Sequence, residues 1–365
     1  MRKLPASTVL SVLVTLAAAC SMQTAEAAGK PGGPPSSGGQ ILPVSLGASS
    51  NCSGSYGLDI NDGGYYPLQI VGQGSGCPGA QPRAVLWTSG IGMIDLGIVG
   101  VATGGSAEGI SNDGTVVGWV NGGGVGLAFV RPLGGPMQKL DTLSGMVYAD
   151  ANAISANAAY IVGSSSTETE WHAVRWDLSS GTWKPKAIPS GGAIAVSNSG
   201  AVVGSDGGHA RIWTGTASVV LPGIDTRAND MNAAGTVVVG FRWQPCPAPC
   251  GRYEVPMIWT LKNGIWIAQE LQALDGVDSE ASGVAQVNGQ VVVVGYGHTK
   301  SDAIMRAVFW KPDAQGKYGA PIRLAALNGR SSAWARAEDV NSSGQVLGTS
   351  AGNGLSRFAV LWKLP

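Results

Sequence analysis

Ala107-Glu108-Gly109-Ile110-Ser111-Asn112-Asp113-Gly114-Thr115-Val116-Val117-Gly118 decides the fold, because the same pattern returns along the chain. It recurs as ANAISANAAYIVG from Ala151, AIAVSNSGAVVG from Ala193, ANDMNAAGTVVVG from Ala228, ASGVAQVNGQVVVVG from Ala281 and AEDVNSSGQVLG from Ala337. A looser copy, GLDINDGGYYPLQIVG, begins at Gly57 and brings the total to seven. Self-similarity at a fixed period marks a repeat architecture, in which each unit buries its apolar faces against its neighbours.

Inside the pattern, a segment ending at Ile110 and another at Val116 flank Asn112-Asp113-Gly114, residues suited to the positive φ of a tight hairpin. These are predicted strands one and two. A third follows as an apolar tetrapeptide that usually closes on tryptophan: AVLW at Trp87, AVRW at Trp176, ARIW at Trp213, PMIW at Trp259, AVFW at Trp310 and AVLW at Trp362. The second copy departs, reading AFVR with Arg131 at its end. Met93-Ile94-Asp95-Leu96 and Met137-Gln138-Lys139-Leu140 read as fourth strands.

From Gly72 to Gly348 the copies are spaced about 46 residues apart, the length of a four-stranded propeller blade. The expected fold is therefore an all-β, seven-bladed β-propeller spanning residues 41–365. Runs such as Val291 to Val294 lack polar alternation, as strands covered on both faces do. The small residue of strand one (Gly57, Ala107, Ala151, Ala193, Ala228, Ala281, Ala337) suits the crowded axis, and the tryptophan suits a wedge between blades. The last copy stops at Trp362-Lys363-Leu364-Pro365 without a fourth strand, while Ile41-Leu42-Pro43-Val44-Ser45-Leu46 is a spare one. It is expected to complete the last blade and remove an exposed edge.

Before the repeats, Arg2 and Lys3 precede an uncharged apolar run from Leu4 to Ala19, the pattern of an export signal. Two processing routes fit: cleavage after Ala27, removing residues 1–27, or removal of 1–19 with lipidation of Cys20 in the lipobox-like Leu16-Ala17-Ala18-Ala19-Cys20. Residues 28–40, rich in Gly, Pro and Ser, read as a tether. The expected location is periplasmic, outer-membrane-anchored or extracellular, with a membrane reached only through the lipid. Four cysteines follow the signal, and in an oxidising compartment the expected disulfides are Cys52 with Cys77 and Cys246 with Cys250. Zinc at Cys246 and Cys250 is disfavoured because the histidines lie elsewhere.

Charged residues make up only 13% of the chain and its formal net charge is zero, which excludes the basic surplus of a nucleic-acid or anionic-membrane binder. The 56 glycines follow no collagen period and imply many tight turns.

The strand-three positions His172-Ala173-Val174 and His209-Ala210-Arg211, with Leu127-Ala128-Phe129, Arg83-Ala84-Val85, Arg306-Ala307-Val308 and Phe358-Ala359-Val360, resemble the bacterial extracellular HAF repeat family. The Ile-Asn/Ser-x-x-Gly and Val-Val-Gly words agree, from Gly57 to Trp362. The resemblance implies an exported, propeller-like repeat protein of undefined activity, with no catalytic residues to carry over.

No Gly-x-Ser-x-Gly elbow with strand-turn-helix context is present, and Gly122-Gly123-Gly124 does not precede a helix. Two candidate sites remain. Asp59, Glu108, Asp230, Glu338 and Asp339 lie around strand one, and ring closure brings them toward the central channel, where carboxylates can take Ca²⁺ or a cationic or hydroxyl-rich ligand. The alternative is that these acids cap turns and accept backbone hydrogen bonds. The second site is the insertion carrying Arg242 and Trp243, expected as an exposed loop beside Cys246. The expected function is a non-enzymatic binding or scaffold module of the bacterial cell envelope for a glycan, peptide or partner protein. The alternative is a glycan-active hydrolase or lyase using the channel-mouth carboxylates.

Overall fold

The computed structural model describes residues 40–98, 102–122, 125–246, 251–300, 304–329, 333–352 and 356–365. Cys20, the signal segment and all of the tether but its last residue lie outside these. The strands form seven four-stranded antiparallel sheets, arranged as the blades of a propeller. Strand β1 (Val44–Ser45) stands apart in sequence from the blade it joins. Blade one is β2 (Gly54–Ile60), β3 (Gln69–Ser75), β4 (Arg83–Thr88) and β5 (Gly92–Asp95). Blade two is β6 (Ala102–Ile110), β7 (Val116–Gly122), β8 (Val125–Arg131) and β9 (Gln138–Lys139). Blade three is β10 (Tyr148–Ile154), β11 (Tyr160–Ser166), β12 (Trp171–Ser179) and β13 (Thr182–Ala187). Blade four is β14 (Gly192–Val196), β15 (Val202–Asp206), β16 (His209–Thr214) and β17 (Ala217–Val220). Blade five is β18 (Thr226–Met231), β19 (Val237–Cys246), β20 (Gly251–Lys262) and β21 (Ile265–Glu270). Blade six is β22 (Ser279–Val287), β23 (Gln290–His298), β24 (Met305–Trp310) and β25 (Ile322–Arg323). Blade seven is β26 (Ala335–Val340), β27 (Gln345–Ala351) and β28 (Arg357–Lys363), with β1 as its outermost strand.

The seam is the predicted one, though shorter than the spare segment. Val44 pairs with Leu361 and Ser45 with Val360, and bonds from Leu46 N to Ala359 O and from Ala325 N to Ile41 O extend the contact at either end. Ser55, fully buried, accepts from Ala359 N through its Oγ at 3.0 Å and so ties blade seven to blade one. Cys52 and Cys77 form a disulfide that fixes the chain leaving the seam to the far end of β3.

Each innermost strand carries a β-bulge at the same place, where the register slips by one residue directly after the small residue. The bulge accounts for the glycine of the Val-Val-Gly word. That glycine pairs with the small residue, and a Cβ on it would lie 1.7–2.1 Å from the carbonyl oxygen preceding the small residue in every blade, from Tyr56 O against Gly72 to Arg336 O against Gly348. No side chain fits there, so the repeat word records a backbone collision. The turn between the two strands has Gly114 at φ +82, as expected, whereas in blade three Ala158 takes the same conformation at φ +56.

The core lies between blades. Trp362, Val346 and Val360 of blade seven, for example, cluster with Val294 and Phe309 of blade six. Trp176, Trp213, Trp259, Trp310 and Trp362 are fully buried wedges. Four of them anchor further, donating from Nε1 at 2.7–2.8 Å to the carbonyls of Asp141, Pro222, Gln272 and Ala325, which lie in the links between blades. No helix among the described residues is long and apolar enough to cross a membrane.

Candidate binding channel

The bulge decides what faces the axis. Its extra residue has no ladder partner, and all seven such residues, Leu58, Glu108, Asn152, Ile194, Asn229, Ser282 and Glu338, line one central cavity of about 460 Å³. They form a ring to which each blade contributes one side chain. From there the cavity runs to the turns between first and second strands, where Asp62, Asn112 and Ser342 line it. Those turns hold one another across blades: Ser342 N donates to Asp62 Oδ1 at 2.8 Å and Asp62 N to Asn112 Oδ1 at 3.0 Å.

The five acids expected around the channel all line this cavity, but in two different roles. Asp59, Asp230 and Asp339 follow the bulge residue and clip each blade to the next. Asp59 Oδ2 accepts from Ile110 N at 2.7 Å, Asp230 Oδ2 from Val284 N at 2.8 Å and Asp339 Oδ2 from Ile60 N at 3.4 Å. Where no aspartate stands, the position is small: a Cβ on Gly283 would lie 2.8 Å from Asp339 Cα, and one on Gly109 3.1 Å from Ala153 Cα. The position thus carries nothing (Gly109, Gly283), a methyl (Ala153, Ala195) or a carboxylate that accepts the neighbour's amide.

Burial raises all three carboxyls above their ordinary range. Asp230 is pushed up to about 7, burial outweighing the bonds from Val284 N and Met231 N. Asp339 is raised well above its ordinary value by burial and by the charges of Asp59 and Asp230, and hydrogen-bonds to Asp59. Glu108 and Glu338 are the bulge residues proper. Burial also raises both, opposed at Glu108 by Ser106 and Trp119 and at Glu338 by Arg336. Trp119 Nε1 donates to Glu108 Oε1 at 2.9 Å, and Arg336 Nε lies 3.0 Å from Glu338 Oε2. Among the described residues, no three His, Cys, Asp or Glu side chains are grouped as a metal ion would need.

The insertion in blade five is a strand pair and not an exposed loop. Arg242 and Trp243 lie within β19, whose ladder with β20 continues to Cys246 opposite Gly251. The ladder runs on through Pro245 opposite Arg252 and Cys246 opposite Gly251, where the sequence had suggested a loop. Arg242 pairs with Glu270 at 2.6 Å, while the Trp243 ring meets Phe241 edge-on at 5.2 Å and carries the Arg252 guanidinium 4.1 Å from its centroid. Both side chains are thus spent within blade five. Cys246 is disulfide-bonded, and Cys250 lies outside the described residues.

The hairpin also supplies Glu254, part of a network that the repeat pattern did not single out. Burial, then the charges of Glu280 and Asp278, pushes Glu254 up to about 9, and it hydrogen-bonds to Glu280. Glu280 in turn accepts from Tyr296 and, at 2.7 Å, from Asn229 Nδ2, while Arg336 lies 4.7 Å from the Tyr296 centroid. Glu280 and Arg336 share one repeat position, just before the small residue, and that placement was the available signal.

No family model matches the chain, and no curated protein matches it. Among solved structures it is similar to the β-propeller domain, of open velcro topology, of the Trilobed protease from Pyrococcus furiosus. The two are 14% identical over 85% of this chain and 94% of that one, with a TM-score of 0.52. The WD40 β-propeller domain of Doa1 is 12% identical over 90% of this chain and 97% of that one, with a TM-score of 0.50. A puromycin-hydrolyzing peptidase of Mycobacterium tuberculosis is 11% identical, with 88% of this chain and 54% of that one covered and a TM-score of 0.52. This chain therefore spans about half the length of that peptidase. At such identities the likeness is one of fold.

Proposed function

We propose that the chain is an exported, non-enzymatic binding module of the bacterial cell envelope that holds its ligand in the central channel. The observation that carries this reading is the convergence of seven bulge side chains on one cavity. They occupy the position directly after the small residue of strand one, which the ladder leaves unpaired in every blade, so their identity can vary without cost to pairing. Export is supported by the basic and apolar start of the sequence and by the Cys52–Cys77 disulfide, which suits an oxidising compartment. A hydrolase or lyase would draw on the same carboxyls, but Asp59, Asp230 and Asp339 already accept backbone amides across blades.

The test is to screen the purified mature protein against envelope glycans and peptides, with mass spectrometry of the ligands afterwards. Binding without change of ligand mass is expected. Turnover that disappears in Asp59→Asn or Asp230→Asn would replace this reading with the enzymatic one. Release from membranes by Cys20→Ser would identify the lipid-anchored form.

A further inference from the structure

The channel is lined toward one face of the propeller. Its wall starts at the bulge ring, and among the described residues the side chains one place before the small residue, such as Tyr56, Arg227 and Arg336, take no part in it. From the ring it runs to the turns between first and second strands, so a ligand approaches across those turns. Blade one breaks the symmetry of this rim. Its link between β2 and β3, residues 61–68, is longer than in any other blade; the link covers 111–115 in blade two and 341–344 in blade seven. The added length carries Tyr65 and Tyr66, 96% and 37% exposed, with their rings edge-on at 5.2 Å.

A tyrosine ring left that bare adds nothing to the core, yet the base of its turn is fixed from both sides. Asn112 Nδ2 of blade two donates to Asp62 Oδ2 at 2.9 Å, Asn341 Nδ2 of blade seven to Asn61 O at 3.0 Å, and Gln69 N to Asn61 Oδ1 at 2.8 Å. Aromatic rings on a clamped support bind at a low ordering cost. Polar groups with unused capacity stand beside them. Each oxygen of Asp62 accepts one bond from within the rim, Asn112 keeps one amide proton, and Ser342, exposed, brings a hydroxyl. Acceptors and donors next to an aromatic face match a sugar, which has a hydroxyl edge and an apolar C–H face. An extended peptide would need a free strand edge, but backbone groups at this rim are closed within their turns, as in Ser111 N to Thr115 O and Asn341 N to Gln345 O. An anionic sugar is opposed by the carboxyls, since the described lining residues include no Lys, Arg or His.

We propose, resting on the channel reading above, that this rim takes a neutral β-1,4-linked glycan, one sugar stacking on Tyr65 and hydrogen-bonding at its edge to Asp62, Asn112 and Ser342 while the chain end enters the channel. Equatorial hydroxyls leave both faces of each sugar in such a chain apolar, as stacking requires. The test is calorimetric titration of the full mature chain with N-acetylchitohexaose, hexagalacturonic acid and an acetylated penta-alanine. The neutral hexamer is expected to bind and the acid and the peptide not to. Tyr65→Ala should weaken the hexamer about tenfold at an unchanged melting temperature, the ring being exposed, and Tyr65→Phe should keep it. Ile194→Trp, which narrows the bulge ring, should also weaken it.

Failure of the neutral hexamer to bind overturns the proposal, as does tighter binding of the acid. If penta-alanine binds in its place and depends on Tyr65, the partner is a peptide and the glycan assignment falls. Hexamer binding that Ile194→Trp removes and Tyr65→Ala leaves unchanged overturns the tyrosine rim while the channel reading stands. Binding that Tyr65→Ala weakens and Ile194→Trp leaves unchanged keeps the rim site and removes the channel reading.

Discussion

Asp339, on the innermost strand of the last blade, hydrogen-bonds its carboxyl to that of Asp59, on the innermost strand of the first, across the seam where the ring closes. Two carboxyls share such a bond only when one keeps its proton. The pair holds it between them, both carboxyls being raised by burial and Asp339 also by the charges of Asp59 and Asp230. A proton retained in the folded chain but lost from the unfolded chain lowers stability as pH rises. The contribution is complete below the ordinary aspartate range and is lost through the folded value, which for Asp230 is about 7. The melting temperature is therefore expected to fall between roughly pH 4 and pH 7, each raised group adding up to about 1.4 kcal/mol per pH unit. Asp339→Asn should flatten this dependence. A melting temperature that rises over the interval would contradict the shared proton.

The wedge tryptophans make a paired comparison. Trp259 Nε1 donates to Pro222 O, whereas Trp213, equally buried, has no partner for its Nε1 among the described residues. Replacement by phenylalanine removes similar volume at both sites, but only at Trp259 does it orphan a carbonyl, at about 1–3 kcal/mol. Urea denaturation should find Trp259→Phe the more destabilising of the two by about that margin, and equal losses would show that the bond contributes nothing.

Closure depends on a two-residue strand and on the disulfide behind it. Reducing Cys52–Cys77, which closes a loop of sequence separation 25, is expected to cost roughly 2–4 kcal/mol. Deleting residues 41–46 should lower the melting temperature and raise amide exchange along β28, whose outer edge it uncovers. An unchanged exchange pattern in β28 would mean that the seam contributes no protection.

At Glu254 the sign can be tested with a neutral mimic. Burial and the charges of Glu280 and Asp278 hold its carboxyl up to about 9, so at neutral pH it is protonated. Glu254→Gln should match the native chain below about pH 4 and exceed it by a margin that grows through neutral pH and levels off above about pH 9, because the unfolded native chain ionises this carboxyl long before the folded one does. A variant already much less stable at pH 7 would show that the carboxyl acts as an anion.

The blades were legible because every copy repeats the same packing problem, and the seam because the last copy lacks what the first has spare. The site was legible only as a set of residue types. Asp59 and Glu108 sit one place apart in the repeat, and only the bulge separates them, sending Glu108 to the ring and Asp59 to the next blade's amide. Gly72 and its six equivalents recorded that bulge as a missing side chain, which strand propensity alone does not explain. Glu254 met Glu280 through the extra length of β19 and β20, and no repeat word describes an insertion.

The pairing of Val44 with Leu361 places the two ends of the propeller side by side in one blade. Strand β1 is made before every other strand of the propeller and has no partner until β28, the last of them, has followed it. Six blades can form from contacts local in sequence, but the ring becomes a ring in a single late event. Until then the outer edge of β28 is open to any other strand, its own β1 or that of a second copy, so the fidelity of assembly rests on the tethered strand arriving first.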